Sequence, residues 1–264
     1  MRAIPSIFAF LLLTIFHFSC TRQVEEFQPG ESSKDYISLQ PGKYITYRLD
    51  STVFTQQGRA EETHSYQEKV IIDAEMPDAL GRPGYRVYRF IRDVNGTEPW
   101  VSSGTNYMLW ANGNLEVTEN NFKVLKLVSP VREGDSWKAN RYITLSPGSS
   151  GFASGPYSPK YQFDNNRHIY LNEWDFTYES KGESIVLNGK TINDVVTVKG
   201  PDETGNIPVT DPGVFGSQTY VEYKFAKGIG LIYEEYILQE YQPNSGGSPY
   251  KTGFKVKRSM LDHN

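Results

Sequence analysis

The 264-residue chain contains one cysteine, Cys20. With a single thiol no internal disulfide can form, and neither a Cys-x-x-Cys pair nor a cysteine-rich zinc site is available. Histidine is almost as scarce: past His17 there are only His64, His168 and His263, far apart and never in a His-x-x-x-His spacing. A zinc site needs three or four convergent ligands, so no metal is expected. Gly-x-Ser-x-Gly, the signature of a serine hydrolase elbow, does not occur. Clustered lysine and arginine are missing too, and 27 bases against 31 acids leave a formal net charge of −4. This balance excludes nucleic acid as the expected partner, and equally excludes docking on anionic lipid through a basic patch. Outside the N-terminus no run of a dozen residues carries the i, i+3, i+4 apolar spacing of a helix.

The one long apolar run, "IFAFLLLTIF" at residues 7–16, follows Met1-Arg2 and is too short to span a bilayer as a helix. A positive start, a short apolar segment and the small residue Ser19 form the layout of a secretory signal over residues 1–19. Cys20 then follows directly, and "HFSC" resembles the lipobox of bacterial lipoproteins, with His17 where that pattern prefers Leu. The resemblance implies cleavage before Cys20 and a diacylglyceryl group on its sulfur; two acyl chains anchor a protein stably where one does not. Cleavage removes Arg2 and no acid, taking the net charge from −4 to −5. Thr21 in place of Asp after the cysteine is similar to lipoproteins routed to the outer membrane. "QVEE" at 23–26 resembles the acidic tetrapeptide of surface-exposed ones and reads equally well as an acidic linker, so the periplasmic and cell-surface sides stay open.

Residues 20–40 read as a lipidated cysteine with a flexible polar linker, and 41–264 as one antiparallel β domain. Ile45, Tyr47, Leu49 and Val53 alternate with polar residues, as do Trp174, Phe176 and Tyr178, and Phe254, Val256, Arg258 and Met260. Period two means strands with one buried face. Turns are expected at Asn112-Gly113, Lys181-Gly182, Asn188-Gly189 and Gly246-Gly247, with "ESIVLNGKTINDVVTV" as a hairpin about Asn188-Gly189. The fold class is all-β: an open barrel, lipocalin-like or half-barrel, or a sandwich. Two long loops are expected, at 146–159 and 201–218.

The segments "GKYITYRLDSTVF", "LKLVSPVREGDSWKAN" and "YKFAKGIGLIYEEY" come in an order that resembles a family of uncharacterised outer-membrane lipoproteins from Bacteroidota. That resemblance implies an envelope location and brings neither an activity nor catalytic residues.

Other motifs reduce to turns. "AKGIGLI" is followed by a strand where a phosphate loop would open a helix, so Gly228 and Gly230 are expected in a hairpin turn. "DVNGTE" lacks the acids of a calcium loop. Glu234 and Glu235, as neighbours on a strand, point to opposite faces and cannot flank one glycosidic bond; Glu222, Glu235 and Asp175 remain as isolated carboxylates. Asp50-Ser51-Thr52 is similar to the O-glycosylation triplet of Bacteroidota exported proteins, but Ser51 falls on the apolar register. Tyr220, Tyr223, Tyr233, Tyr236 and Tyr241 crowd one hairpin, with Tyr220 facing away from Tyr223.

The expectation is therefore a non-enzymatic envelope module without cofactor, tethered to the membrane through Cys20 and binding a small ligand, glycan or envelope protein. A structural or assembly role in the envelope, or a carbohydrate-active hydrolase, is the alternative. Loop aromatics Phe152, Tyr157 and Phe215, with Trp100 or Trp110, are the candidate rim of a binding mouth; equally, each pins its own loop.

Overall fold

The computed structural model describes residues 30–120, 122–143 and 174–264; Cys20, Phe152, Tyr157 and His168 lie outside them. Among the described residues twelve antiparallel strands follow one another: β1 (Tyr44–Thr55), β2 (Ala60–Glu75), β3 (Gly84–Asp93), β4 (Val101–Ala111), β5 (Asn114–Glu119), β6 (Phe122–Leu127), β7 (Ser136–Lys138), β8 (Asp175–Leu187), β9 (Lys190–Gly205), β10 (Gly216–Ala226), β11 (Gly230–Gln242) and β12 (Tyr250–His263). The sheet order β6-β5-β4-β3-β2-β1-β12-β11-β10-β9-β8-β7 makes every pair but one a link between consecutive strands. The exception, β1 with β12, rolls the meander into a nearly closed barrel, which decides against the sandwich.

The two free edges, β6 and β7, meet at a seam. The Leu125 N–H donates to the Ala139 carbonyl (2.9 Å), and the Trp137 indole N–H donates to the Leu125 carbonyl (2.9 Å). Tyr178 of β8 reaches across, accepting from the Val128 N–H (2.9 Å) and donating to the Val128 carbonyl (2.6 Å), with its ring 4.7 Å from that of Trp137. Burial raises the Tyr178 hydroxyl pKa above the ordinary tyrosine value, so it stays a donor there. Side chains thus cover edges that would otherwise pair with another chain.

Local chemistry explains the turns. Asn112 and Gly113 (φ 52° and 78°) and Asn188 and Gly189 (φ 49° and 77°) hold the two successive positive φ angles of a tight hairpin turn. Gly228 sits in the β10–β11 turn at φ 74°. Asp93 builds the "DVNGTE" turn by accepting from the Asn95 and Glu98 N–H groups and the Thr97 hydroxyl.

Three expectations are corrected. Gly182 (φ 73°) is not a turn: β8 runs through it, with register shifts on both sides of Glu183, because a single positive φ can be absorbed as a bulge. The loop expected over 201–218 spans only 206–215, since Pro201 to Gly205 continue β9 and β10 begins at Gly216. Residues 30–40 are not linker. A 3-10 turn over Ser33–Tyr36 buries Ser33 and Tyr36, and Leu39 is buried beyond it. The Ser33 hydroxyl donates to the Gly113 carbonyl (2.7 Å), its N–H donates to Ser129 Oγ (2.9 Å), and the Gly228 N–H donates to the Asp35 carbonyl (2.7 Å). Three buried side chains in a polar segment leave no periodicity to detect.

Gly189→Val is expected to destabilise the barrel by about 1–2 kcal/mol through backbone strain alone, since an L residue is poorly accommodated at positive φ. An added Cβ there meets nothing within 4 Å. Equilibrium melting checks this; an unchanged curve would refute the turn assignment.

Candidate functional site

A barrel of about eight strands is just filled by its own side chains. Twelve strands enclose a wider lumen, and here its middle is occupied by long charged ones. Six strands contribute: Glu68 from β2, Arg89 from β3, Glu119 from β5, Lys126 from β6, Glu234 from β11 and Arg258 from β12. Arg258 is the hub. Its Nε donates to Glu68 Oε2 (2.6 Å), Nη1 donates to Glu234 Oε2 (2.5 Å), and Nη2 donates to Glu119 Oε1 (3.1 Å). Arg89 Nη1 donates to Glu119 Oε1 (2.8 Å) and Nη2 donates to Asn120 Oδ1 (2.9 Å). Lys126 Nζ lies 3.6 Å from Glu234 Oε1 and 3.5 Å from the centre of the Tyr223 ring. The three bases and three acids cancel. In the sheet β5 stands five places from β12, so the Glu119–Arg258 contact crosses the lumen rather than following the sheet.

Burial by itself would raise the Glu234 carboxyl, but Arg258 and Lys126 outweigh it and hold the group below the ordinary glutamate value. Burial lowers Lys126 despite the nearby acids, whereas the surrounding carboxylates drive Arg258 far upward against its own desolvation.

The cluster partitions the lumen into two cavities of about 90 Å³ each. The first opens where β1 starts and β12 ends: Ile37, Tyr44, Ile45, Met108, Ile229 and Leu231 are among its walls, exposed Asn264 stands at its rim, and the six charged residues lie at its inner side. The second is walled by Phe122, Val124, Tyr223, Tyr236, Phe254 and Val256 and shares Glu119, Lys126, Glu234 and Arg258 with the first. Arg89 and Asn106, both among the residues lining the first cavity, each bury one side-chain atom, Nε and Oδ1, that has no hydrogen-bond partner among the described residues.

The sequence-derived candidates disperse. Trp100 and Phe215 stand at the barrel end that carries the β3–β4 and β9–β10 connections, with Arg92 stacked 4.2 Å above the Trp100 ring. Trp110 stands at the opposite end, beneath Lys34. Glu222 and Glu235 are cross-strand partners. Glu222 accepts from the Tyr220 hydroxyl (2.7 Å) and Glu235 from the Tyr233 hydroxyl (2.6 Å), while Asp175 pairs with Lys138. Tyr223 and Tyr236 face the lumen, and Tyr241 donates to the Pro212 carbonyl (3.0 Å). Among the described residues no group of histidine, cysteine and acids could hold a metal ion, and no helix is long and apolar enough to cross a membrane. The charged cluster itself was missed. Its one visible sign was Arg258 in the apolar register between Val256 and Met260.

Removing one member of a buried ion cluster typically costs about 3–5 kcal/mol because the partners are left charged and unpaired. Arg258→Met should therefore destabilise the barrel by that order at pH 7. In the wild type the lowered Glu234 pKa adds stability that is present above the ordinary value of 4.5 and is lost as pH falls through the folded value. In the variant the bare carboxylates gain from protonation, so the deficit should shrink towards pH 4, as read by denaturant titration at a series of pH values. A pH-independent deficit would contradict the cluster's charge state.

No protein-family model and no curated protein matches the chain. Among solved structures it is similar to a Bacteroides fragilis protein described as exported with a YmcC-like fold, at 9% identity, TM-score 0.39, over 86% of this chain and 99% of that one. It is also similar to a DUF1329 family protein from Desulfovibrio piger, at 12% identity and TM-score 0.19, over 86% and 87% of the two chains. A Vibrio parahaemolyticus domain described as an outer membrane lipoprotein-sorting protein follows at 10% identity and TM-score 0.17, over 84% and 85%. Likeness at these levels carries no functional argument, and the reading of function rests on the site.

Proposed function

We propose that the protein is a lipid-anchored component of the outer bacterial envelope that captures a small apolar or amphiphilic ligand without chemical turnover. One observation carries the binding reading: a cavity with apolar walls that opens beside Tyr44 and Asn264 and reaches inward to a charge-balanced ion cluster. Recognition sites commonly combine apolar walls with a few placed polar groups. At about 90 Å³ it takes a short segment, not a large cofactor.

Converging carboxylates would favour a glycoside hydrolase if one of them were held protonated to act as the acid. Here Arg258 bonds all three carboxylates, and with Lys126 it holds Glu234 below the ordinary glutamate value, the opposite of what a general acid needs. Binding without turnover is what the arrangement supports.

The anchor rests on sequence: "HFSC", the preceding apolar run and Thr21 support a diacylglyceryl group on Cys20 and an outer-membrane destination. Cys20→Ala should abolish incorporation of labelled palmitate and release the protein from membranes; full membrane retention of the variant would refute the anchor. For binding, native mass spectrometry of protein taken from its own envelope should reveal a bound small molecule. Met108→Trp, which fills the cavity, should eliminate that mass while preserving the melting transition. An identical bound mass in the variant would place the ligand elsewhere.

A further inference from the structure

The N-terminal segment joins the barrel at the end where β1 starts. Gly30 packs against Pro130, just past β6, so closely that a Cβ on Gly30 would come within 2.5 Å of Pro130 Cβ. The Val131 N–H donates to the Glu31 carbonyl (2.8 Å), and Lys227 Nζ, in the β10–β11 turn, lies 3.4 Å from Glu31 Oε1. Because the strands alternate in direction, this end also carries the β2–β3 loop, the β4–β5 and β8–β9 turns, Asn264 and the mouth of the open cavity. Cys20 is ten residues before Gly30, so a lipid on its sulfur attaches at most about 35 Å from this end. β1 alone, at 12 residues, is roughly 40 Å long. A tether that short would have to run nearly straight along the wall to bring the opposite end to the bilayer.

Two apolar side chains stand out from this end. Leu80 is 78% exposed in the β2–β3 loop, and Val186 is 72% exposed near the tip of the β8–β9 hairpin. Both are held in place. Asp78 Oδ1 accepts from the Leu80 N–H (3.0 Å) and the Arg82 N–H (2.9 Å), and the Arg82 guanidinium pairs with the same carboxylate (2.6 Å). The loop therefore has a fixed shape, and its two charges cancel. Ile185 and Leu187 pack on a buried cluster with Tyr47, Ile232 and Met260, while Val186 between them faces the other way. Asn188 Nδ2 donates to the Met260 carbonyl (2.6 Å) and pins the tip. Single exposed apolar side chains are ordinary, and Val101 and Val214 at the opposite end are examples. What sets Leu80 and Val186 apart is the end they share with the tether. A contact too weak to hold a free protein becomes effective once an anchor makes it intramolecular. Resting on the reading that Cys20 carries the lipid, we propose that this end of the barrel docks on the bilayer, with Leu80 and Val186 entering its interfacial layer and the cavity mouth opening on lipid. Such docking is apolar and needs no basic patch, in keeping with the chain's negative charge.

Introduced cysteines test this, because in the lipidated protein Cys20 has no free thiol. A nitrobenzoxadiazole probe, whose emission reports on its surroundings, is attached to Leu80→Cys, Val186→Cys and, on the rim, Asn264→Cys, with Val101→Cys and Val214→Cys as controls. Each mature, lipidated variant is reconstituted in phosphatidylcholine vesicles with and without doxyl-labelled lipid. The probes replacing Leu80, Val186 and Asn264 should shift to the blue and lose emission to doxyl lipid, and those replacing Val101 and Val214 should do neither. Lipidated protein that floats with the vesicles yet shows no quenching at Leu80 and Val186 would overturn the docking and leave the anchor standing. Quenching at all five sites would overturn the orientation, and quenching at Leu80 and Val186 without Asn264 would overturn the placement of the mouth. A blue shift that appears in detergent without vesicles and grows with protein concentration would make this end an interface between copies of the chain instead. Absence of acyl chains from the purified protein, read by mass spectrometry, would remove the anchor and this inference with it.

Discussion

Everything in this barrel is arranged around one guanidinium. Arg258 binds carboxylates from three strands, and two of the cluster's contacts, Arg258 with Glu119 and Lys126 with Glu234, join strands on opposite sides of the lumen. Removing such charges from water costs several kcal/mol per ion, and the contacts roughly offset that cost only when all are present. The cluster therefore adds little net stability while penalising any arrangement in which it is incomplete. A one-residue slip of β12 would turn Arg258 outward and bring Lys257 or Ser259 into the lumen, so the interior polar contacts reinforce the register that the apolar pattern already favours.

The width of the barrel explains why charged residues occupy its middle. Strands too numerous to be filled by Val and Leu need side chains with reach, and Arg, Lys and Glu have it. Phe254, Tyr236 and Tyr223 fill one side of the cluster, with Tyr236 and Phe254 stacked at 5.6 Å. On the other side lies the cavity that opens beside Tyr44, with Ile37 and Ser38 of the N-terminal segment among its walls. The same wide lumen that requires the ion cluster leaves a cavity on either side of it.

How much of this was legible follows from which interactions are local. Asn188-Gly189 and the alternation of Trp174, Phe176 and Tyr178 report on their immediate neighbours, so strands and hairpins could be read directly. Gly182 and the 201–218 segment misled because a lone glycine and a polar stretch look the same in a bulge or strand as in a loop. The cluster was hidden for a different reason: its six residues come from strands spread over nearly two hundred positions, and in each strand a lone Glu, Lys or Arg resembles a solvated one. Only Arg258, lodged between Val256 and Met260, broke its local pattern. Arg89 and Asn106 were undetectable, since being unpaired is a property of the assembled barrel and not of any segment.

The pairing of β1 with β12 imposes an order of assembly. β12 lies downstream of all the other strands, yet it supplies both the closing hydrogen bonds, such as those around Val53 and Phe254, and the guanidinium at the hub. Without β12, Glu68, Glu119 and Glu234 lack their shared guanidinium and are met only by Arg89 and Lys126, which leaves one acid in excess in a poorly solvated space. The last of the twelve strands thus completes the interior as well as the wall: until Val53 meets Phe254 and Arg258 enters the lumen, the charges inside the barrel do not balance.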